Sequence, residues 1–190
     1  MNSPQTRAGR PRNPDLDRAI LSAAARQLGE LGYARMSLES VAAAAGTNVP
    51  SLRRRYRSKA ELAAAVIGSL RVEEPPASAA TPRAHALAIL ENFLANLRAI
   101  PALAILGSLL AEEERHPELL RLFKTRLVEP RRALLRQALA AGDLPDSADL
   151  DVLTSMLIGS FYGRYVTIAG IPDDWPDRVL SAIWPPHGFG

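Results

Sequence analysis

Arg53, Arg54 and Arg55 stand side by side in the segment GTNVPSLRRRYRSKAEL, residues 46–62. A guanidinium is a planar fork of donors that fits phosphate oxygens and guanine edges, and neighbouring forks repel one another unless an anion screens them. The chemistry open to this run is therefore recognition of a polyanion. A plain solvated helix face is the other reading of any run of like charge. Lys59, a few residues on, can reach a neighbouring phosphate. Ahead of the run, MNSPQTRAGRPR sets Arg7, Arg10 and Arg12 on a Gly- and Pro-rich arm of the kind that follows a minor groove.

Bond-making chemistry lacks its groups. There is no cysteine, which removes disulfides, thiolate metal sites and cysteine nucleophiles. His85, His116 and His187 have no ligand spacing, and His116 ahead of Pro117 reads as a helix end. In EEER, residues 112–115, adjacent carboxylates point in different directions on a helix, which suits a solvated helix end. No Gly-rich phosphate loop and no nucleophile elbow is present. The sequence predicts no enzyme, no metal and no cofactor.

The elements that position the arginines are helices. Asn13-Pro14-Asp15 is a helix start, with a capping Asn, a Pro in the first turn and acidic residues near the positive end of the dipole. Ile20, Leu21, Ala24, Leu28 and Leu31 follow at helical spacing until Gly32. Ser37 opens a second helix, carrying Leu38, Val41 and Ala45, which Gly46 ends. A third spans about Val49 to Arg55, and Ser58 caps a fourth from Lys59 to about Val72. A glycine in the turn between the second and third helices matches a helix-turn-helix layout. At 100° per residue Val49, Leu52 and Tyr56 face inward, Pro50, Ser51, Arg53 and Arg54 outward, and Arg55 lies on a flank. That setting, with a basic arm in front, favours DNA as the anion.

Charge is distributed to match. The net charge is +3, but residues 1–62 carry 11 Lys and Arg against 5 Asp and Glu, and the remainder 12 against 15. Hydrophobic residues at 47% and charged residues at 23% describe a globular chain rather than a disordered one. No apolar run is long enough to span a bilayer, and the N-terminal residues lack the apolar core of a secretory signal. A soluble cytoplasmic protein with no membrane partner is the expectation.

EEPPASAATP, residues 73–82, breaks the composition and predicts a loop. Apolar-periodic stretches follow at roughly 83–99, 102–114, 117–141 and 147–169, with a short last helix near 175–184. Pro130 should kink its helix. No alternating strand pattern appears, so the expected fold is all-α. Its parts are a basic arm at 1–13, a helix-turn-helix domain at 14–62 and a helical domain at 63–190.

AILSAAARQLGELGYARMSLESVAAAAGTNVPSLRRRYRSKAEL resembles the N-terminal DNA-binding domain of the tetracycline-repressor (TetR) family of transcriptional regulators. The resemblance lies in the Gly-Tyr before a Ser-started helix, the VAAAAG turn and the SKAEL exit from the recognition helix. HPELLRLFKTRLVEPRRALLRQAL and IGSFYGRYV are more weakly similar to one C-terminal subgroup of that family. The resemblance implies a homodimer, two recognition helices on a pseudo-palindromic DNA site, and a C-terminal helical domain for dimerisation and effector binding. By position it implies that Ser37 contacts phosphate and that Val49, Pro50 and Ser51 face bases. Arg53, Arg54 and Arg55 would share base and phosphate contacts, with Lys59 on phosphate. Arg53 and Arg55 depart from the family pattern, which has an aromatic and often a histidine there, so phosphate affinity and salt dependence should be raised.

In 147–169, Leu150, Leu153, Leu157 and Phe161 form one stripe, and Ser155, Gly159 and Gly163 form another at four-residue spacing. Small residues in that register let a second helix approach closely. Leu153, Ser155, Leu157, Gly159 and Gly163 are therefore dimer-interface candidates, and packing within the domain is the alternative. Phe93, Phe123, Tyr162, Arg164 and Tyr165 are candidates for an effector pocket, against the alternative that the aromatics form plain core. The resulting expectation is a ligand-responsive DNA-binding regulator, released from its operator by a small lipophilic effector. A helical lipid- or partner-binding protein with a basic N-terminal surface is the alternative.

Overall fold

The structure, a computed structural model, describes residues 13–99, 101–168 and 170–185. Arg7, Arg10, Arg12 and His187 lie outside the described residues. The fold is all-α, with helices and connecting turns and no strand among the described residues. The chain divides into two compact units between Ser69 and Leu70.

The first unit holds α1 (Pro14–Glu30), α2 (Gly32–Arg35), α3 (Leu38–Ala44), α4 (Val49–Arg53) and α5 (Lys59–Ser69). Asn13 caps α1, its Oδ1 accepting from the Asp15 N–H at 3.0 Å. α1 packs against α5 and α3, and α3 packs against α4. Ile20, Ala24, Leu28, Val41, Leu52, Leu62 and Val66 form the buried interior between them. The boundary expected after residue 62 falls inside α5, whose Ala63, Val66 and Ile67 are as buried as Leu62. That helix stops at Ser69 rather than Val72, where the Ser69 hydroxyl turns back onto the Val66 carbonyl at 2.8 Å. Gly32 ends α1 at φ 78° as expected, but a further single turn, α2, follows it at once.

The second unit holds α6 (Pro82–Ala99), α7 (Ala102–Ala111), α8 (Pro117–Phe123), a π turn (Lys124–Val128), α9 (Glu129–Ala140), α10 (Leu150–Thr167) and α11 (Trp175–Ile183). α6 packs on α9 and α11, with α10 against α9 and α11. Leu90, Leu135, Leu139, Leu157, Phe161, Leu180 and Trp184 form the core. The Phe93 ring meets Phe161 edge-on at 5.1 Å.

The break expected at Pro130 takes the form of the π turn before it. Pro130 has no N–H to offer the preceding turn, and its ring crowds the carbonyl four residues back. Widening that turn, so that the Glu129 N–H reaches back to the Lys124 carbonyl, relieves both problems. No single helix among the described residues is long and apolar enough to cross a membrane.

Candidate nucleic-acid interface and apolar cavity

α4 is five residues long and cannot persist on its own. Its surroundings hold it. Gly46 makes the turn from α3 at φ 65°, a region that side chains bearing a Cβ disfavour. Asn48 caps the helix, its Oδ1 accepting from the Ser51 N–H at 2.8 Å. Pro50 sits in the first turn, where a missing N–H is harmless. Leu52, 0% exposed, anchors the helix to the unit's interior.

With Leu52 inward, Pro50, Arg53 and Arg54 are exposed, and Val49 and Ser51 are half-buried. Among the described residues neither the Arg53 nor the Arg54 guanidinium makes a hydrogen bond or an ion pair. Arg57, exposed in the turn after α4, extends this surface. Only its backbone is engaged, its N–H donating to Glu61 Oε2 at 2.7 Å.

Three other expected DNA contacts have partners inside the unit. Arg55 lies three residues after Leu52 and so follows it inward, where its Nε meets Asp17 Oδ1 in the first turn of α1 at 2.5 Å. Its side chain is only 16% exposed, which takes it out of the outward cluster of arginines. Lys59 Nζ donates to the carbonyls of Tyr33 at 2.9 Å and Ala34 at 3.2 Å and lies over the Tyr33 ring. It ties α5 to α2. Ser37 caps α3, its Oγ accepting from the Ser40 N–H at 3.0 Å while Ser40 Oγ accepts from the Ser37 N–H at 3.3 Å. Ser40 Oγ in turn donates to Gln27 Oε1 at 2.7 Å, which ties this cap to α1.

In the second unit a cavity of about 280 Å³ opens among α6, α7, the π turn, α9 and α10. Phe93, Phe123 and Tyr162 line it, together with Leu106, Leu127 and Ile158. Two expected pocket residues lie elsewhere. Arg164 stacks over the Trp175 ring at 4.8 Å, and Tyr165 is 54% exposed. Burial raises the Tyr162 phenol above the ordinary tyrosine range.

Asn96, Arg131 and Arg132 bring polar groups to the cavity, and none of them is among the pocket residues expected from the sequence. Asn96 is buried and satisfied, its Oδ1 accepting from the Glu73 N–H at 2.7 Å and its Nδ2 donating to the Glu73 and Asn92 carbonyls. Arg132 donates to Asp151 Oδ1 at 2.9 Å and Ser155 Oγ at 3.0 Å. Arg131, 8% exposed, donates through Nη1 to the Leu127 carbonyl at 3.0 Å, and no acceptor among the described residues meets its buried Nη2. Burial pulls the Arg131 pKa down, and the charge of Glu74 opposes that pull. The signal for Arg131 was in the sequence: it shares a helical stripe with Leu127, Leu135 and Ala138, where an apolar residue belongs.

α10 presents three different faces. Thr154, Leu157 and Phe161 point to the core, so Leu157 leaves the set of interface candidates because it is only 1% exposed. Leu153 is half-buried against that same core. Ser155, Ile158, Gly159 and Tyr162 border the cavity. Val152, Met156 and Val166 are 51%, 55% and 81% exposed, and they continue along the helix through Gly159 and Gly163. A Cβ added at either glycine would meet nothing within 4 Å.

Comparison with known proteins covers both units. The model for bacterial regulatory proteins, tetR family, matches residues 20–66, and the tetracyclin repressor-like, C-terminal domain matches residues 75–183. An uncharacterized HTH-type transcriptional regulator of Mycobacterium tuberculosis is 30% identical over 168 residues, spanning 84% of this chain and 82% of its own. The HTH-type transcriptional regulator YdeS of Bacillus subtilis is 25% identical over 190 residues, spanning 94% and 93%. Among solved structures, HlyIIR, a hemolysin II transcriptional regulator, superposes with a TM-score of 0.66 at 20% identity, covering 90% of this chain and 97% of that one. The flavonoid-responsive regulator FrrA gives 0.66 at 22% identity, covering 89% and 92%. At such identities the two structures speak for the fold.

Proposed function

The chain belongs to the tetracycline-repressor family of bacterial transcriptional regulators, and we propose that it represses by holding operator DNA as a homodimer. It is a ligand-responsive DNA-binding regulator and not an enzyme. α4 is the recognition helix of the proposal, with Val49, Pro50 and Ser51 toward base edges and Arg53 and Arg54 on bases and phosphates. Arg57 joins them on the backbone, and the basic arm with Arg10 and Arg12 takes the adjacent minor groove. The observation that carries this reading is the pair of exposed arginines, without partners among the described residues, at the end of a helix that its cap and the buried Leu52 hold in place.

The second copy packs on the exposed stripe of α10, where Val152, Met156 and Val166 need cover and Gly159 and Gly163 allow close approach. Two recognition helices then meet successive major grooves on one side of the duplex, about 34 Å apart. A small apolar effector in the cavity favours a conformation in which that spacing is lost. Coupling of this kind is reciprocal, so operator DNA weakens effector binding by the same factor. The site of action is the cytoplasm.

Titration of the full chain against promoter DNA upstream of its own gene, at several salt concentrations, tests the proposal. A preference over random duplex with a steep salt response is the expected result. A flat salt response, or tighter binding to anionic vesicles than to DNA, would remove it.

A further inference from the structure

The cavity has an apolar wall with one unbalanced charge in it. Phe93, Leu106, Phe123, Leu127 and Ile158 give it the surface for an apolar body, and its volume of about 280 Å³ is at the small end for ligand pockets. Of the two guanidiniums at the wall, Arg132 already has its carboxylate, Asp151. Arg131 has none: no acidic side chain among the described residues forms an ion pair with it, and Nη2 is buried without any acceptor. The charge of opposite sign that acts on it is that of Glu74, an exposed residue that forms no ion pair with it.

A buried cation retained without a counter-ion is a group in want of an anion. One guanidinium balances one negative charge, and its fork matches the two oxygens of a carboxylate. A dianion would leave a second charge stranded against apolar walls, and a neutral ligand would leave the guanidinium as it stands. We propose that the effector of this regulator is an amphipathic monocarboxylate, an acid with a short aliphatic or aromatic body, whose carboxylate is held by Arg131 while Phe93, Phe123 and Ile158 enclose the body. The inference rests on the regulator reading and names the chemical class of its effector. The Tyr162 phenol, at the same wall and protonated at neutral pH as any tyrosine is, offers a second donor to the acid.

Calorimetric titration of the full-length protein at neutral pH with two matched pairs of probes, octanoate against 1-octanol and 4-phenylbutyrate against 4-phenyl-1-butanol, tests it. At least one acid is expected to bind about tenfold or more tightly than its own alcohol, the discrimination a charge-assisted hydrogen bond provides. In Arg131→Met the acid and alcohol should converge, and Arg131→Lys, which keeps the charge without the fork, should fall between. Acids that bind no better than their alcohols, acids that fail to bind at all at millimolar concentration, or an undiminished preference in Arg131→Met each overturn the inference. Should Arg131→Met not fold, the wild-type comparison and Arg131→Lys still decide. Promoter binding without any probe is measured on the same preparation. Intact DNA binding with no preference for acids removes the effector class alone, whereas lost DNA binding removes the regulator reading.

Discussion

The arginines of the run separate into two kinds, and salt dependence distinguishes them. Arg53 and Arg54 are exposed and have no ion pair among the described residues, whereas Arg55 is 16% exposed and bound to Asp17. Each phosphate neutralised on duplex DNA contributes about 0.9 to the slope of log affinity against log salt. A dimer presents Arg53 and Arg54 twice, so R53A/R54A removes up to four contacts and should flatten the slope by about 3.6. Between 50 and 200 mM salt, that difference corresponds to roughly 100-fold in how steeply wild type and variant diverge.

Arg55→Ala and Lys59→Ala should behave differently. Both lose contacts inside the unit, worth about 1–2 kcal/mol each once partial exposure is allowed for. Melting temperature should drop in both while the salt slope of the folded fraction stays at the wild-type value. Fluorescence anisotropy with labelled promoter DNA across a salt series, alongside thermal melts, reads both quantities. If Arg54 reads a guanine instead of a phosphate, the loss of about 1–3 kcal/mol appears at one operator position and the slope changes less. An R53A/R54A protein with unchanged slope and unchanged specificity, or an R55A protein that flattens the slope as much, would show that α4 does not face DNA in this orientation.

Other perturbations reach the second unit. Met156→Glu with Val166→Glu places charge on the exposed stripe of α10 and should raise the dimer dissociation constant at least about 100-fold, since each charge would have to be desolvated at the contact; light scattering after gel filtration reads it, and an intact dimer would remove this face as the interface. Gly142→Ala would put a Cβ 2.0 Å from Cη2 of Trp184, a buried ring held by its N–H donating to Asp143 Oδ1 at 2.8 Å. The ring cannot swing aside without losing that bond, so destabilisation of about 1–3 kcal/mol in urea is expected, and an unchanged midpoint would contradict the packing. The raised Tyr162 pKa means the folded state holds the phenolic proton more tightly than the unfolded chain does. Its contribution to stability is therefore complete below the ordinary tyrosine value of about 10 and is lost as pH rises through the folded value; Tyr162→Phe should abolish that alkaline fall in melting temperature.

Much of this was legible in the residues because local signals and packing agree in the first unit. Asn13-Pro14 and Ser37 cap helices where capping residues should stand, and Gly46 takes the left-handed turn between α3 and α4. Periodicity also put Leu52 inward and Arg53 and Arg54 outward. What it could not supply was the partner of a side chain on a flank. Arg55 meets Asp17, 38 residues earlier, and Lys59 meets the Tyr33 carbonyl, 26 residues earlier, through packing that no single helix encodes. The same limit applies to α10, whose four-residue spacing of Ser155, Gly159 and Gly163 suggested one face. Ser155 turns to Arg132 and the cavity, while the open stripe runs through Val152, Met156 and Val166.

Arg131 shows where a sequence stops and a structure begins to matter. A charged residue on the Leu127–Leu135–Ala138 stripe is visible in the sequence as an exception, yet the exception alone has two opposite meanings. Had an acidic side chain from α6 or α10 reached it, the pair would be a closed internal ion pair with nothing left to bind. Arg132, next in the chain, does have a carboxylate partner, Asp151, in a pair open to solvent. Because Arg131 is buried, borders the cavity and keeps one Nη without an acceptor, the exception becomes a demand on whatever enters the cavity. The widened turn before Pro130 belongs to the same arrangement, since the carbonyl that holds Nη1 is that of Leu127, within the turn itself. A proline that widens one turn and a guanidinium that leans on it place a single positive charge at the edge of an apolar space, and a negatively charged effector is the partner that charge can discriminate.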